Sequence, residues 1–286
     1  MNNDLKNYLS YYLKETITNM SSVHGGDISK AYRINTSKNS YFLKANTTPT
    51  ASNMFQTEAY GLQLIRETNT IKTPKVIACD TFRNSAFLLM EFIENKSPSL
   101  KDFKNLGHQL AKLHQCTTED FGLNKDNFIG SLPQSNTQHK TWLDFYITER
   151  LLPQLELAKQ KRLLSENECS SERQIKDGLK LLFKNIKPSL LHGDLWSGNY
   201  LISKDGIPYL IDPAIYYGHH EVDIAMSKLF GGFGDAFYEA YHNNFPFDEN
   251  TAARIEIYQL YYLLVHLNMF GSSYYGSVIS ILKTYF

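Results

Sequence analysis

The chain has 286 residues, 42% hydrophobic and 20% charged, with Lys+Arg and Asp+Glu both counting 29. That is an ordinary globular composition, long enough for one large domain or two lobes without disulfides or metals to hold it together. The charge balance lacks the positive excess that draws a chain to nucleic acid or anionic membranes, and no apolar run is long enough to span a bilayer.

Leu5, Tyr8, Leu9, Tyr12, Leu13 and Ile17 recur at helical spacing, which predicts an amphipathic helix over residues 3–19. The charges inside it, Asp4, Lys6, Lys14 and Glu15, break the apolar core that an export signal needs, so a cytoplasmic protein is expected. Gly25-Gly26 then opens a loop ahead of a hairpin that pairs residues 31–35 with 41–45 across the turn formers Ser37-Lys38-Asn39-Ser40. Residues 52–68 return to helical period, Thr73-Pro74 breaks the chain, and 85–92 reads as a buried strand. Asn95, Ser97 and Pro98 mark residues 93–99 as a hinge, so we divide the chain into a small mixed lobe, 1–92, and a larger helical lobe, 93–286. Helices are expected over 100–116, 141–159 with a break near Pro153, 171–185, 221–230, 234–243 and 250–270. One β island interrupts them, residues 200–203 and 209–212, joined by the turn Lys204-Asp205-Gly206. Cys79, Cys116 and Cys169 are scattered, without Cys-x-x-Cys spacing, and read as small packed hydrophobes.

The most informative stretch runs from His192-Gly193-Asp194 through Trp196-Ser197-Gly198 to Asn199, followed by Ile211-Asp212-Pro213. An apolar run delivers Asp194 into a glycine loop, and the hairpin is expected to return Asp212 beside Asn199. A carboxylate and an amide oxygen, completed by substrate phosphates, are the hard ligands that Mg²⁺ takes. Asp194 is then left to accept the proton of an attacking hydroxyl, in a His-x-Asp-x-x-x-x-Asn spacing that matches the catalytic loop of protein kinases. Phosphoryl transfer also needs a cation on the phosphates and a loop over them. Lys44, on the same strand face as Phe42, supplies the cation, Glu58 on the next helix holds it by an ion pair, and Phe42 is placed to touch adenine. Gly25-Gly26 is the candidate phosphate loop, and Met90, Glu91, Phe92 and Ile93 offer backbone groups to the adenine edge.

On these motifs the chain resembles the fructosamine kinase (ketosamine-3-kinase) family, a branch of the protein-kinase-like fold related to aminoglycoside phosphotransferases. HGDLWSGN at 192–199 carries the likeness, with Asp212-Pro213-Ala214, Tyr217-Gly218-His219, Asp223-Ile224-Ala225 and Leu229-Phe230-Gly231-Gly232-Phe233. The resemblance implies an α+β, bilobal protein-kinase-like fold, a small N-terminal antiparallel-sheet lobe and a larger, mostly helical C-terminal lobe. It implies ATP and Mg²⁺ as cofactors, Asp194 as proton acceptor, Asn199 and Asp212 as metal ligands, and Lys44 with Glu58 on the ATP side. The implied reaction phosphorylates the 3-hydroxyl of a small-molecule or protein-bound ketoamine, whose product sheds the sugar. Alternatives on the same scaffold are an aminoglycoside, choline or homoserine kinase, or a silent nucleotide-binding pseudokinase.

Departures and neighbours sharpen this reading. Asp27 stands in the glycine loop where some members carry a cysteine, and Pro213 replaces the aromatic toggle of regulated kinases. The short step from Asp212 to Glu221 leaves no room for a peptide-docking activation segment. Trp196 is expected to stack on the sugar, with His219 also on the substrate side. Asp223 is expected to accept backbone hydrogen bonds from the catalytic loop, and His192 to be structural. His219, His220, Glu221 and Asp223 resemble a metal cluster by composition alone, which does not supply ligand geometry.

Overall fold

The computed structural model describes residues 3–23 and 29–286. It divides into two compact units, Met1–Ser97 with Leu201–Asp212, and Pro98–Tyr200 with Pro213–Phe286. The first break falls inside the expected 93–99 hinge, but residues 93–97 stay with the first unit. So does the hairpin segment 201–212, because Lys96 N–H donates to the Ile202 carbonyl, Lys204 N–H to that of Glu94, and Leu210 N–H to that of Lys72.

In the first unit, α1 (Asn3–Leu13) is followed by β1 (Ile17–Ser22), β2 (Lys30–Thr36), β3 (Ser40–Asn46), α2 (Ala51–Glu67), β4 (Val76–Phe82) and β5 (Ser85–Glu91). The expected helix over 3–19 therefore stops early. Lys14 takes a positive φ of 55°, which ends the helix, and Ile17 turns into the sheet core. The five strands form an antiparallel sheet in the order β1-β2-β3-β5-β4. Alternation sorts the side chains of β5 onto two faces. Phe87 and Leu89 pack with Leu5, Leu9, Ile34 and Leu43, whereas Ala86, Leu88 and Met90 pack with Ala51, Phe55 and Leu62 of α2. Burial on both faces is why β5 reads as an unbroken apolar run.

The second unit opens with α3 (Leu100–His114), started by a capping box between Ser99 and Asp102. A short hairpin follows, β6 (Asn127–Ile129) and β7 (Leu132–Gln134), then α4 (Trp142–Phe145), a π-helical turn at Tyr146–Leu151, α5 (Leu152–Gln160) and α6 (Glu172–Leu179). The π turn has a chemical cause. Pro153 has no N–H for the Glu149 carbonyl, which instead accepts from the Arg150 guanidinium at 2.9 Å. Next comes β8 (Ser189–Leu191); the hairpin strands β9 (Tyr200–Ile202) and β10 (Pro208–Leu210) belong from Leu201 on to the first unit, and β11 (Tyr216–Gly218) returns to the second and pairs antiparallel with β8. Four helices close the chain, α7 (Glu221–Leu229), α8 (Asp235–His242), α9 (Thr251–Phe270) and α10 (Tyr275–Tyr285). Buried residues occur all round α9, which makes it the core helix of this unit. Among the described residues, no helix is long and apolar enough to cross a membrane, and the three cysteines are unpaired thiols.

Candidate active site

In the first unit, period-2 alternation along β3 puts Lys44 on the α2 side, opposite Leu88 of β5. Glu58 lies on α2 between the buried Phe55 and Leu62 at helical spacing, so its carboxylate also faces the sheet. The two meet, with Lys44 Nζ donating to Glu58 Oε1 at 2.8 Å and, on its other side, to Asp212 Oδ1. Lys44 and Glu58 side chains are only 13% and 14% exposed, and Asp212 is 35% exposed. Burial opposes the lysine charge, but Asp212 and Glu58 outweigh burial and hold the ammonium above its ordinary value. Burial also pushes the Glu58 carboxyl up, against the pull of Lys44. Asp212 is the more open of the two acidic partners. Its backbone adopts φ +55°, a sparsely populated conformation for a side-chain-bearing residue and one that concentrates at functional sites.

The residues expected at the adenine edge also lie here. Met90 is buried, Glu91 N–H donates to the Lys75 carbonyl at 2.9 Å, and Phe92 N–H donates to that of Ser40 at 3.4 Å. The Arg33 guanidinium covers the Phe92 ring at 4.3 Å. With these groups engaged, Ile93 is the one of the four whose N–H has no partner among the described residues. Phe42 packs partly buried on the same face as Lys44, beside Met90. Gly25 and Gly26, like Asp27, lie outside the described residues.

In the second unit, the buried strand β8 delivers His192-Gly193-Asp194 into a loop gripped from several directions. The Asp223 carboxylate accepts from His192 N–H at 2.7 Å, Gly193 N–H at 2.8 Å and His114 Nε2 at 3.0 Å. Burial alone would raise its pKa, but the His114 contact and the Gly193 amide hold it below the usual carboxylate value. Tyr262 of α9 donates its hydroxyl to the Gly193 carbonyl at 2.8 Å, and His192 Nδ1 accepts from Asp194 N–H at 3.3 Å. Gly193 is obligatory: its φ is +83°, and a Cβ there would stand 2.1 Å from the Ala214 carbonyl oxygen. Asn199 Nδ2 donates to the Asp194 carbonyl at 2.8 Å and to Asp194 Oδ2 at 3.1 Å. That commitment leaves the amide oxygen as the atom available to a cation. Asn199 in the second unit and Asp212 in the first each offer a hard oxygen donor, the type that suits Mg²⁺ and no soft metal.

Trp196 is exposed and lays its indole over Gly198, where a Cβ would stand 2.5 Å from the ring. His219 corrects the expectation made for it. The ring is buried with Nδ1 against the Tyr258 hydroxyl at 2.9 Å, and burial, with His220 and Arg254 nearby, keeps it neutral. A neutral core histidine has no face to offer a sugar. His219, His220 and Glu221 do bring ligand-type atoms within 4.8 Å. Arg254, however, grips the Glu221 carboxylate with two bonds of 2.6 Å, and a bound guanidinium is a poor neighbour for a metal ion. Sequence reasoning missed His114, whose Nδ1 meets the Tyr241 hydroxyl at 2.7 Å while Nε2 holds Asp223.

A strand lysine clamped by a helical glutamate and an aspartate in one unit, and an Asp–Asn loop in the other, are features of a phosphotransferase of the protein-kinase-like fold. The aminoglycoside phosphotransferase APH(4)-Ia shares this fold, with a TM-score of 0.66 at 15% identity over 99% of this chain and 98% of its own. Within that class the chain belongs to the fructosamine kinase family, whose family model matches residues 1–286. It is 40% identical over 265 residues to a probable ketoamine kinase of Enterococcus faecium, covering 92% of this chain and 94% of that one. A crystal structure from Haemophilus somnus, called a fructosamine-3-kinase, superposes with a TM-score of 0.87 at 29% identity, covering 98% of this chain and 96% of its own.

Proposed function

We propose that this protein transfers the γ-phosphoryl group of ATP to the 3-hydroxyl of a ketoamine, the adduct of a sugar with an amine. The observation that carries the reading is the Asp194 carboxylate, fixed by Asn199 and by a loop whose backbone Asp223 and Tyr262 hold, in a chain that matches the fructosamine kinase family from end to end. Asp194 accepts the proton of the 3-hydroxyl as its oxygen forms a bond to the γ-phosphorus, and the bond to the bridging oxygen breaks with its electrons leaving on ADP. Lys44, kept charged by its two carboxylates, binds the α and β phosphates, and Glu58 keeps the ammonium in position. Asp212 and Asn199 would hold Mg²⁺, which supplies neutralisation of phosphate charge. Ile93 offers its backbone to the adenine edge, and Trp196 stacks on the sugar.

The test is ADP release with Mg-ATP against fructosyl-, ribulosyl- and erythrulosyl-lysine, with kanamycin and choline as counter-substrates. Turnover confined to the ketoamines is expected. Turnover only on kanamycin or choline would keep the phosphotransferase and overturn the acceptor.

A further inference from the structure

Tyr262, His266 and Phe270 recur every four residues along α9 and therefore share one face. The first of them is bonded to the Gly193 carbonyl beside Asp194, so this face leads from the catalytic loop, one helical turn of about 6 Å per step, toward solvent. At its open end stand four rings. Phe230, Tyr274 and Phe270 surround His266 with centroid distances of 4.8, 5.1 and 5.5 Å, tilted by 48–49° rather than stacked. Phe230 is 36% exposed and Phe270 is 52% exposed.

The imidazole at the centre has a fixed polarity. Its Nδ1 lies 2.7 Å from the Tyr262 carbonyl, which only accepts, so the hydrogen is on Nδ1. Burial keeps the ring below its ordinary pKa, and Nε2 is therefore an acceptor lone pair, with no partner among the described residues, on a ring packed against three aromatic rings. A purely apolar ligand would leave that lone pair unsatisfied, and an anion would meet both it and the electron-rich ring faces. A cationic N–H donor satisfies both.

We propose that Phe230, His266, Phe270 and Tyr274 form an aromatic box that binds the ammonium of the acceptor, a deepening of the ketoamine-kinase reading on which it rests. The chemistry of the acceptor fits, because in a ketoamine only C1 and C2 separate the amine from the carbon that bears the phosphorylated hydroxyl. Phe230 is carried by a loop suited to shaping the box. Gly231, Gly232 and Gly234 follow it with φ of +99°, +73° and +82°, and a Cβ at Gly231 or Gly234 would meet nothing within 4 Å. At Gly231 and Gly234 backbone conformation, not packing, requires glycine, so the segment between α7 and α8 is built to bend.

The experiment compares kcat/KM for fructosyl-lysine with kcat/KM for 1-deoxyfructose, which has the same 3-hydroxyl and no amine. The wild-type enzyme is expected to prefer the ketoamine, and that preference should fall about tenfold in Phe230→Ala and in Phe270→Ala, the size of a partly desolvated cation–π contact. His266→Leu should lose it as well, and His266→Gln, which retains an acceptor, should recover part of it. Damage that is merely structural lowers both rates together and leaves the ratio unchanged, which would overturn the box. A wild-type enzyme without preference would overturn it too. A wild-type enzyme that phosphorylates neither acceptor would overturn the ketoamine reading itself and the box with it.

Discussion

Replacing Asp223 by Asn tests whether Asp194, the proton acceptor we propose, depends on a buried carboxylate that holds its loop. Asp223 accepts three hydrogen bonds, from the backbone amides of His192 and Gly193 and from His114. The two amides use different oxygens, so in the amide variant one of these N–H groups faces an NH₂ donor and loses its partner. Hydrogen bonds to a charged group are worth about 1.5–3 kcal/mol each, and a buried donor left unsatisfied costs a comparable amount. A destabilisation of about 3–5 kcal/mol is expected, read as a lower urea midpoint with an unchanged m-value. Because the lost bond tethers the residues just before Asp194, kcat should fall on the order of 100-fold in the folded fraction. The pH dependence has a definite sign. The folded pKa of Asp223 is depressed, so its stabilisation is present above the unfolded carboxylate value and is lost as pH falls through the folded one. The variant should lack that part of the acid-side loss. A folded Asp223→Asn enzyme with kcat within a factor of three of wild type would refute the tethering argument.

Asp194→Asn should lower kcat by about 100-fold or more, the usual worth of a general base, while a nucleotide titration shows nearly unchanged ATP affinity. Asp212→Ala should abolish the Mg²⁺-dependent part of ATP binding, measured calorimetrically with and without the metal, and equal affinity in both variants of the assay would remove Asp212 from the metal site. Gly193→Ala places a Cβ 2.1 Å from the Ala214 carbonyl at a φ of +83°. Strain of about 1–3 kcal/mol from the backbone alone, with the clash added, should lower Tm and turnover together, and a wild-type melting curve would count against the close approach.

Much of the fold could be read because the informative patterns are local. β5 announces itself by five consecutive buried apolar residues, whereas β4, half-exposed at the sheet edge, has no such run and went unseen. The pairing of β8 with β11 was equally invisible, since two three-residue strands set far apart in sequence leave no periodicity to detect. The helix expected over 171–185 is only Glu172–Leu179. Inside it Gly178 is packed so closely that a Cβ would stand 2.7 Å from the Tyr285 carbonyl, a constraint that arises from the far end of the chain.

The site divides along the same line. Lys44 and Glu58 each owe their direction to a short-range rule, alternation in a strand and spacing in a helix, and both were legible. The supports of the Asp194 loop obey no such rule. His114 lies 109 residues from Asp223, and Tyr262 lies 69 residues from Gly193. In sequence each looks like any other polar-tipped member of a buried helix face. His219 shows the converse error, because adjacency to a recognisable motif suggested contact with substrate while tertiary packing placed the ring in the core. Residues proposed to contact reactants are nominated by the chemistry the motif requires. Residues that hold them are chosen only by which helices happen to pack behind the loop, and only coordinates identify them.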